Sequence, residues 1–205
     1  MILKKLVVGA LGVNCYIIGS EDTRECAIID PGGNANKIIN VIEKDNLKVK
    51  YILLTHGHGD HIGGVPQLKK HFKCDVLVHG DDIELTENAE HNHSDRFGDK
   101  IEFTPDVVLN HYDTLELGSL KIDVFHTPGH TQGGVVFKVE KALFVGDTLF
   151  SGSVGRYDLY GGNGRQLIQS IKNVIYKLDS DLVVYPGHGG ETTIKREMDS
   201  NPYTV

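Results

Sequence analysis

The amino-acid sequence predicts an α/β sandwich, and three observations carry that reading. Short runs rich in β-branched and aromatic residues alternate with segments whose apolar residues recur at helical spacing. Ile-Leu-Leu-Thr-His-Gly-His at 52–58 and Val-Phe-His-Thr-Pro-Gly-His at 124–130 both run strand, threonine, histidine, as two related sandwich layers would. No linker or low-complexity stretch breaks the 205 residues, so residues 1–205 read as one domain large enough to bury a core.

Taken in order, Ile2–Val8, Val13–Ile18 and Cys26–Ile29 read as strands, and Asp30-Pro31-Gly32-Gly33 as a turn. A helix follows with Ile38, Ile39, Val41 and Ile42 on one face. Tyr51–Leu54 is a short buried strand. A helix through Leu68–Phe72, a strand at Val76–Val78 and a short helix near Ile83–Glu90 come next, then a polar, irregular stretch over 91–106. Strands are expected at Leu120–Phe125, Val135–Val139 and Ala142–Val145, followed by a Gly-rich loop, Ser151–Gly164. Asn163 is placed to cap a helix carrying Leu167, Ile168, Ile171, Val174, Ile175 and Leu178 on one face. A buried strand at Leu182–Tyr185 and a helix over Glu191–Met198 complete the chain.

Composition narrows the classes. Hydrophobic residues make up 40% and charged residues 24%, the profile of a soluble globular protein. The formal charge of −7 comes with no basic stripe, which argues against a nucleic-acid partner. No apolar run approaches the ~18 residues of a membrane span. Lys4 and Lys5 before an apolar run faintly mimic a leader, but Asn14 stands where a lipoprotein site before Cys15 wants a small residue, and no Ala-x-Ala follows. Cys15, Cys26 and Cys74 are odd in number and form no Cys-x-x-Cys pair; buried thiols in a reducing, cytoplasmic setting are expected.

The most informative segment is Thr55-His56-Gly57-His58-Gly59-Asp60-His61. Alternate residues of an extended segment point the same way, so His56 and His58 can grip one ion while Asp60 and His61 turn towards another. Imidazole and carboxylate suit zinc or a similar divalent cation. Three further expected strands also end in a candidate ligand: His130 in Thr-Pro-Gly-His-Thr, Asp147 in Gly-Asp-Thr and His188 in Pro-Gly-His-Gly. If the four strands share one sandwich edge, seven ligands meet at a single rim.

That set, with Ile-Ile-Asp-Pro-Gly-Gly upstream, resembles the metallo-β-lactamase superfamily. Gly-Asp-Thr-Leu-Phe-Ser-Gly-Ser-Val-Gly-Arg looks most like its short glyoxalase II-type hydrolases. The resemblance spans essentially the whole chain. It implies a four-layer αββα sandwich and a two-metal site, with two zinc ions expected and iron or manganese as alternatives. His56, His58 and His130 would hold metal one, and Asp60, His61 and His188 metal two. Asp147 would bridge them, and Asp30 would orient a ligand from behind.

The mechanism this implies is attack by a metal-bound hydroxide, held by Asp147, on a carbonyl, with Asp60 as ligand and proton shuttle. Coordination lowers the pKa of water from about 15.7 to about 7. A thiol leaving group, with pKa near 8.5, departs without a dedicated acid, which favours a small anionic thioester such as S-lactoylglutathione. Arg156 and Tyr157 are candidates for binding a substrate carboxylate, weighed against a loop salt bridge. Larger glyoxalase II enzymes use a C-terminal helical domain to bind glutathione. This chain ends soon after His188, so the thiol carrier stays open, as does the oligomeric state. The alternatives are a mononuclear iron persulfide dioxygenase-like oxidoreductase, a lactone or β-lactam hydrolase, and a non-catalytic metal-binding module. His91-x-His93 is read as surface loop, and His71, His79 and His111 as ordinary histidines. His126 reads as core packing or as support behind the ligands.

Overall fold

Side chains that alternate along each strand sort the chain into four layers. The computed structural model describes residues 1–97 and 100–205; residues 98–99, within the stretch expected to be irregular, lie outside the described residues. Strands β1 (Ile2–Val8), β2 (Val13–Gly19), β3 (Glu25–Ile29), β4 (Lys48–Leu53), β5 (Asp75–His79) and β6 (Val107–Leu109) form one six-stranded sheet in that order. A second six-stranded sheet is built from β7 (Thr114–Leu117), β8 (Leu120–His126), β9 (Val135–Val139), β10 (Ala142–Gly146), β13 (Val183–Pro186) and β14 (Thr192–Thr193), in the order β14-β13-β10-β9-β8-β7. The hairpin between them in sequence pairs β11 (Leu149–Phe150) with β12 (Ser153–Val154).

Strand β2 shows how the layers arise. All seven of its residues are buried, as a strand covered on both faces must be. Cys15 and Ile17 face Ile38 and Ile42 of helix α1 (Ala35–Lys44), while Tyr16 and Ile18 face Phe137 and Phe144 of the other sheet. The chain between β4 and β6 carries helices α2 (Gly59–Ile62), α3 (Val65–Phe72), α4 (Ile83–Glu87) and α5 (Ala89–Asn92). Helix α6 (Gly164–Asn173) covers the far face of the second sheet, with Leu167 and Ile171 against Leu143, Val145 and Val184. Asn163 caps it, accepting from the Gln166 N–H at 3.1 Å. Helix α7 (Ile194–Ser200) follows β14. The order helix, sheet, sheet, helix is the expected αββα sandwich.

Several expected boundaries are corrected. The helix near 83–90 is two helices, because Asn88 adopts an extended conformation and caps the second by accepting from Glu90 and His91 N–H groups. Helix α6 stops at Asn173 and continues as a tighter turn over Ile175–Lys177. The last helix starts three residues later than expected, at Ile194, where Thr193 caps it. Strands β6, β7, β11, β12 and β14 were not expected; they are two to four residues long, too short for a periodic signal. Among the described residues no helix is long and apolar enough to cross a membrane.

All three cysteines are buried and unpaired. Burial pushes the Cys74 thiol up to about 11 and the Cys26 thiol up to about 12, and raises Cys15 as well. A thiolate reagent such as DTNB at pH 8 is therefore expected to leave the native chain unmodified and to titrate three thiols in denaturant; rapid labelling of the folded chain would contradict this burial. Phe137, fully buried between the sheets, supplies a second check: Phe137→Ala is expected to cost about 3–5 kcal/mol in urea unfolding.

Candidate metal centre

The ligand-bearing strand ends come from both sheets: β4 belongs to the first, and β8, β10 and β13 to the second. Their C-terminal ends are held together by main-chain bonds. Val135 N–H donates to the Thr55 carbonyl at 2.8 Å, and Gly187 N–H donates to the Gly146 carbonyl at 2.7 Å. At Gly187 the loop passes so close to the centre that any Cβ would collide with Asp147 Oδ1 and His61 Cε1.

All seven expected ligands meet at this rim. His58 Nδ1 lies 3.0 Å from His130 Nε2, which lies 3.2 Å from His56 Nε2. On the other side His188 Nε2 lies 3.2 Å from Asp60 Oδ2, and His61 Nε2 lies 3.8 Å from the same oxygen. Asp147 stands between the triads, with Oδ1 at 3.4 Å from His61 Nε2 and Oδ2 at 3.8 Å from His130 Nε2 and 3.7 Å from His188 Nε2. Donors on a tetrahedral zinc, each ~2.0–2.1 Å from the ion, sit ~3.4 Å apart, so these spacings fit a cation in each triad. His61 Nε2 and Asp147 Oδ1 are also shut off from solvent, with no aligned hydrogen-bond partner among the described residues. A second divalent cation would satisfy both.

Support from behind is more extensive than the sequence suggested. Asp30, buried and in a left-handed conformation (φ 50°), accepts from Thr55 N–H at 2.7 Å and from Thr55 Oγ1 at 2.6 Å, and lies 3.0 Å from His61 Nδ1. Thr55 Oγ1 in turn lies 3.1 Å from His56 Nδ1. His130 Nδ1 donates to the Arg156 carbonyl at 2.7 Å. These contacts leave the opposite ring nitrogens for the ion. Sequence reasoning missed Asp82, which is fully buried and accepts from Gly57 N–H (2.9 Å), Thr131 Oγ1 (2.9 Å) and Gly133 N–H (2.6 Å). It thereby ties the His56–His61 loop to the His130 loop. Asn14 and Tyr16 were missed too: Asn14 Nδ2 and the Tyr16 hydroxyl donate to the Pro186 carbonyl at 2.9 and 2.7 Å, fixing the loop that carries His188. The one local hint was an acidic pair, Asp81-Asp82, at a strand end.

The charge environment divides the centre. Burial, then neighbouring imidazoles, lowers His56 well below the ordinary histidine range and His58 to about 3, which holds these two rings of the first triad neutral. Burial opposes charge on His61 as well, but the carboxylates of Asp147, Asp60 and Asp30 outweigh it and raise His61 well above its usual value. Asp60 and Asp147 respond in kind: burial would raise them, and the adjacent His61 brings both down. The second triad therefore carries paired charges that a cation would replace.

Residues 8–188 match the Metallo-beta-lactamase superfamily. The chain belongs to the metallo-β-lactamase superfamily. Hydroxyacylglutathione hydrolase GloC of Haemophilus influenzae is 38% identical over 208 residues, covering 99% of this chain and 98% of its own. The BLEG-1 B3 metallo-beta-lactamase crystal structure superposes with a TM-score of 0.94 at 38% identity over the whole of both chains. TTHA1623 in a di-iron-bound form superposes with a TM-score of 0.85 at 33% identity, covering 98% of this chain and 99% of that one. The coarse chemistry is that of a metal-dependent hydrolase of this superfamily.

Other histidines sort differently. His79 and His126 stack face to face, with centroids 3.9 Å apart and planes at 12°, near Asp81. Their in-plane lone pairs run parallel, and His126 Nε2 donates to the Gln132 carbonyl at 2.9 Å, so packing is the fitting account and His126 does not support the ligands. His91 and His93 are not plain surface loop. His91 stacks on Tyr160 at 3.8 Å, and His93 lies over His58. Their segment presses on the ligand loop so closely that a Cβ at Gly59 would stand 2.8 Å from Ser94 Cα. The Arg156 guanidinium forms a two-pronged bond with the exposed Asp158 carboxylate at 2.8 and 2.9 Å, and Tyr157 is half exposed.

Asp147→Ala is expected to abolish stoichiometric binding of the second cation, read by metal content after gel filtration; two retained cations would refute the bridging position. Asp30→Ala is expected to weaken metal affinity about 10–100-fold in chelator competition, since it frees the rings of His61 and, through Thr55, His56.

Proposed function

We propose that this chain is a binuclear zinc hydrolase that cleaves thioesters of low-molecular-weight thiols, with a hydroxyacyl thioester such as S-lactoylglutathione as substrate. The observation that carries the reading is Asp147 standing within 3.4–3.8 Å of three histidines drawn from both triads. When bound, the metals would polarise the substrate carbonyl and lower the pKa of coordinated water.

The chain's own residues supply position and selectivity. His56, His58 and His130 present converging ring nitrogens suited to metal one. Asp60, His61 and His188 suit metal two, and Asp147 both sites. Asp60, held ionised at the rim, is placed to receive a proton at a carboxylate oxygen. Among the described residues the acids at the centre are all committed: Asp30 and Asp82 accept from backbone N–H groups, Asp60 lies 3.2 Å from His188 Nε2, and Asp147 lies within ion-pair reach of three histidines. None is set aside to protonate a poor leaving group, which suits a thiolate. The likeness to a hydroxyacylglutathione hydrolase supports the same substrate class. Arg156 and Tyr157, at the outer edge, are proposed to meet an anionic part of the substrate, with Arg156 exchanging its bond to Asp158.

Two observations favour second readings. The di-iron form of TTHA1623 favours iron as the metal, and the match to BLEG-1 favours β-lactam cleavage. A single-iron persulfide dioxygenase-like centre would draw on overlapping ligands, and ETHE1 from Myxococcus xanthus superposes with a TM-score of 0.85 at 27% identity, so metal content decides between the two. Protein purified without added metal is expected to contain near two zinc ions per chain and to release free thiol from S-D-lactoylglutathione, with EDTA abolishing turnover. One iron per chain with oxygen uptake on glutathione persulfide would overturn this reading, and turnover of nitrocefin alone would move it to lactams.

A further inference from the structure

Burying a carboxylate is costly, and Glu197 of helix α7 is fully buried with only neutral partners. Its Oε1 accepts from the Thr192 hydroxyl, and its Oε2 accepts from Gly152 N–H and from Asn201 Nδ2, both at 2.8 Å. Asn201, also fully buried, donates from the same nitrogen to the Ser153 carbonyl at 3.0 Å. Packing alone would be served as well by an apolar side chain of that size. What the polar pair adds is a grip on two successive main-chain groups, the Gly152 N–H and the Ser153 carbonyl, at the tip of the β11–β12 hairpin.

Both feet of that hairpin stand in the metal centre. Strand β11 starts two residues after Asp147, and β12 ends two residues before Arg156, whose carbonyl accepts from His130 Nδ1 at 2.7 Å. Gly155 passes so close to both ligands that a Cβ there would stand 1.7 Å from the Asp147 carbonyl oxygen and 3.2 Å from His130 Nδ1. Phe150 sets its ring edge-on to that of His188, with centroids 6.4 Å apart. Leu149 and Val154 seat the base of the hairpin in the core that Leu167 and Ile171 share. A hairpin of two residue pairs holds no shape by itself, so its tip needs an anchor as well. We propose that Glu197 and Asn201 are positioning residues of the metal centre: by gripping the hairpin tip they fix the Asp147 turn at one foot and, at the other, the Arg156 carbonyl that aims His130. The inference rests on the two-cation reading of the centre and is independent of the thioester substrate.

The test is zinc competition against a chromophoric chelator on the full chain, with the ring N–H resonances of 15N-labelled, zinc-loaded protein as a second readout. Glu197→Ala is expected to weaken zinc binding about tenfold, the low end of what losing the support behind a ligand does. It is also expected to move the Nδ1–H resonance of His130, which donates to Arg156, while that of His61, which faces Asp30, stays in place. Glu197→Gln offers a carbonyl to Gly152 and Asn201 and an amide N–H to the Thr192 hydroxyl, and is expected to restore both readouts. Unchanged zinc affinity in Glu197→Ala, a shift of both ring resonances together, or no restoration in Glu197→Gln would overturn the proposal. If Glu197→Ala does not fold, Asn201→Ala, which releases the Ser153 carbonyl, is judged by the same criteria. If neither folds, the pair serves the whole fold and the proposal falls. A wild-type chain that takes up no zinc sinks the two-cation reading by itself, and the hairpin is then judged by the His130 and His61 resonances of the metal-free chain.

Discussion

One buried carboxylate, Asp30, sets the orientation of ligands on both sides of the centre. It binds His61 directly and reaches His56 through Thr55, so one group fixes a ring in each triad. A carboxylate taken this far out of water is tolerable only when its oxygens are fully engaged, and here both are. Its left-handed backbone follows from the same demand, because the turn after β3 must place the side chain back under the β4 end. The sandwich supplies strand ends, and Asp30 and Asp82 convert them into aimed imidazoles.

The two triads differ in charge, and that difference has a chemical meaning. Three imidazoles without a carboxylate make a site where a cation keeps most of its positive charge, and so its pull on a carbonyl oxygen. The second triad, with its carboxylates, offsets more of the cation's charge and binds through paired ions. Asp147 lets the halves act as one unit without making them alike.

How much of this was legible in the sequence follows from range. Strands β1 to β5 of the first sheet and the helices at 35–44 and 164–173 showed clear patterns, because each buries a continuous stripe. The seven ligands were legible because each follows a buried strand and sits among glycines or prolines. Asp82 and Asn14 were not, because their partners lie up to 51 and 175 residues away, and an acidic pair at a strand end is too common to single out Asp82. His93 was misread for a related reason: the polar segment around it resembles exposed loop, yet Asn92 and Ser94 are buried and hold it in place, partly covered, through side-chain bonds rather than apolar contact.

The bonds from Asn14 and Tyr16 to the Pro186 carbonyl span 172 and 170 residues. The loop carrying His188 thus takes its shape from the second strand of the chain, and the last ligand arrives only after nearly everything else has been synthesised. A ribosome-bound nascent chain could pair β2 with β3 early, but Asn14 and Tyr16 would wait for the Pro186 carbonyl until the far end emerged. Maturation of the centre is therefore coupled to closure of the whole polypeptide, and a chain cut short before Pro186 would lack both the missing histidine and the clasp that holds its loop.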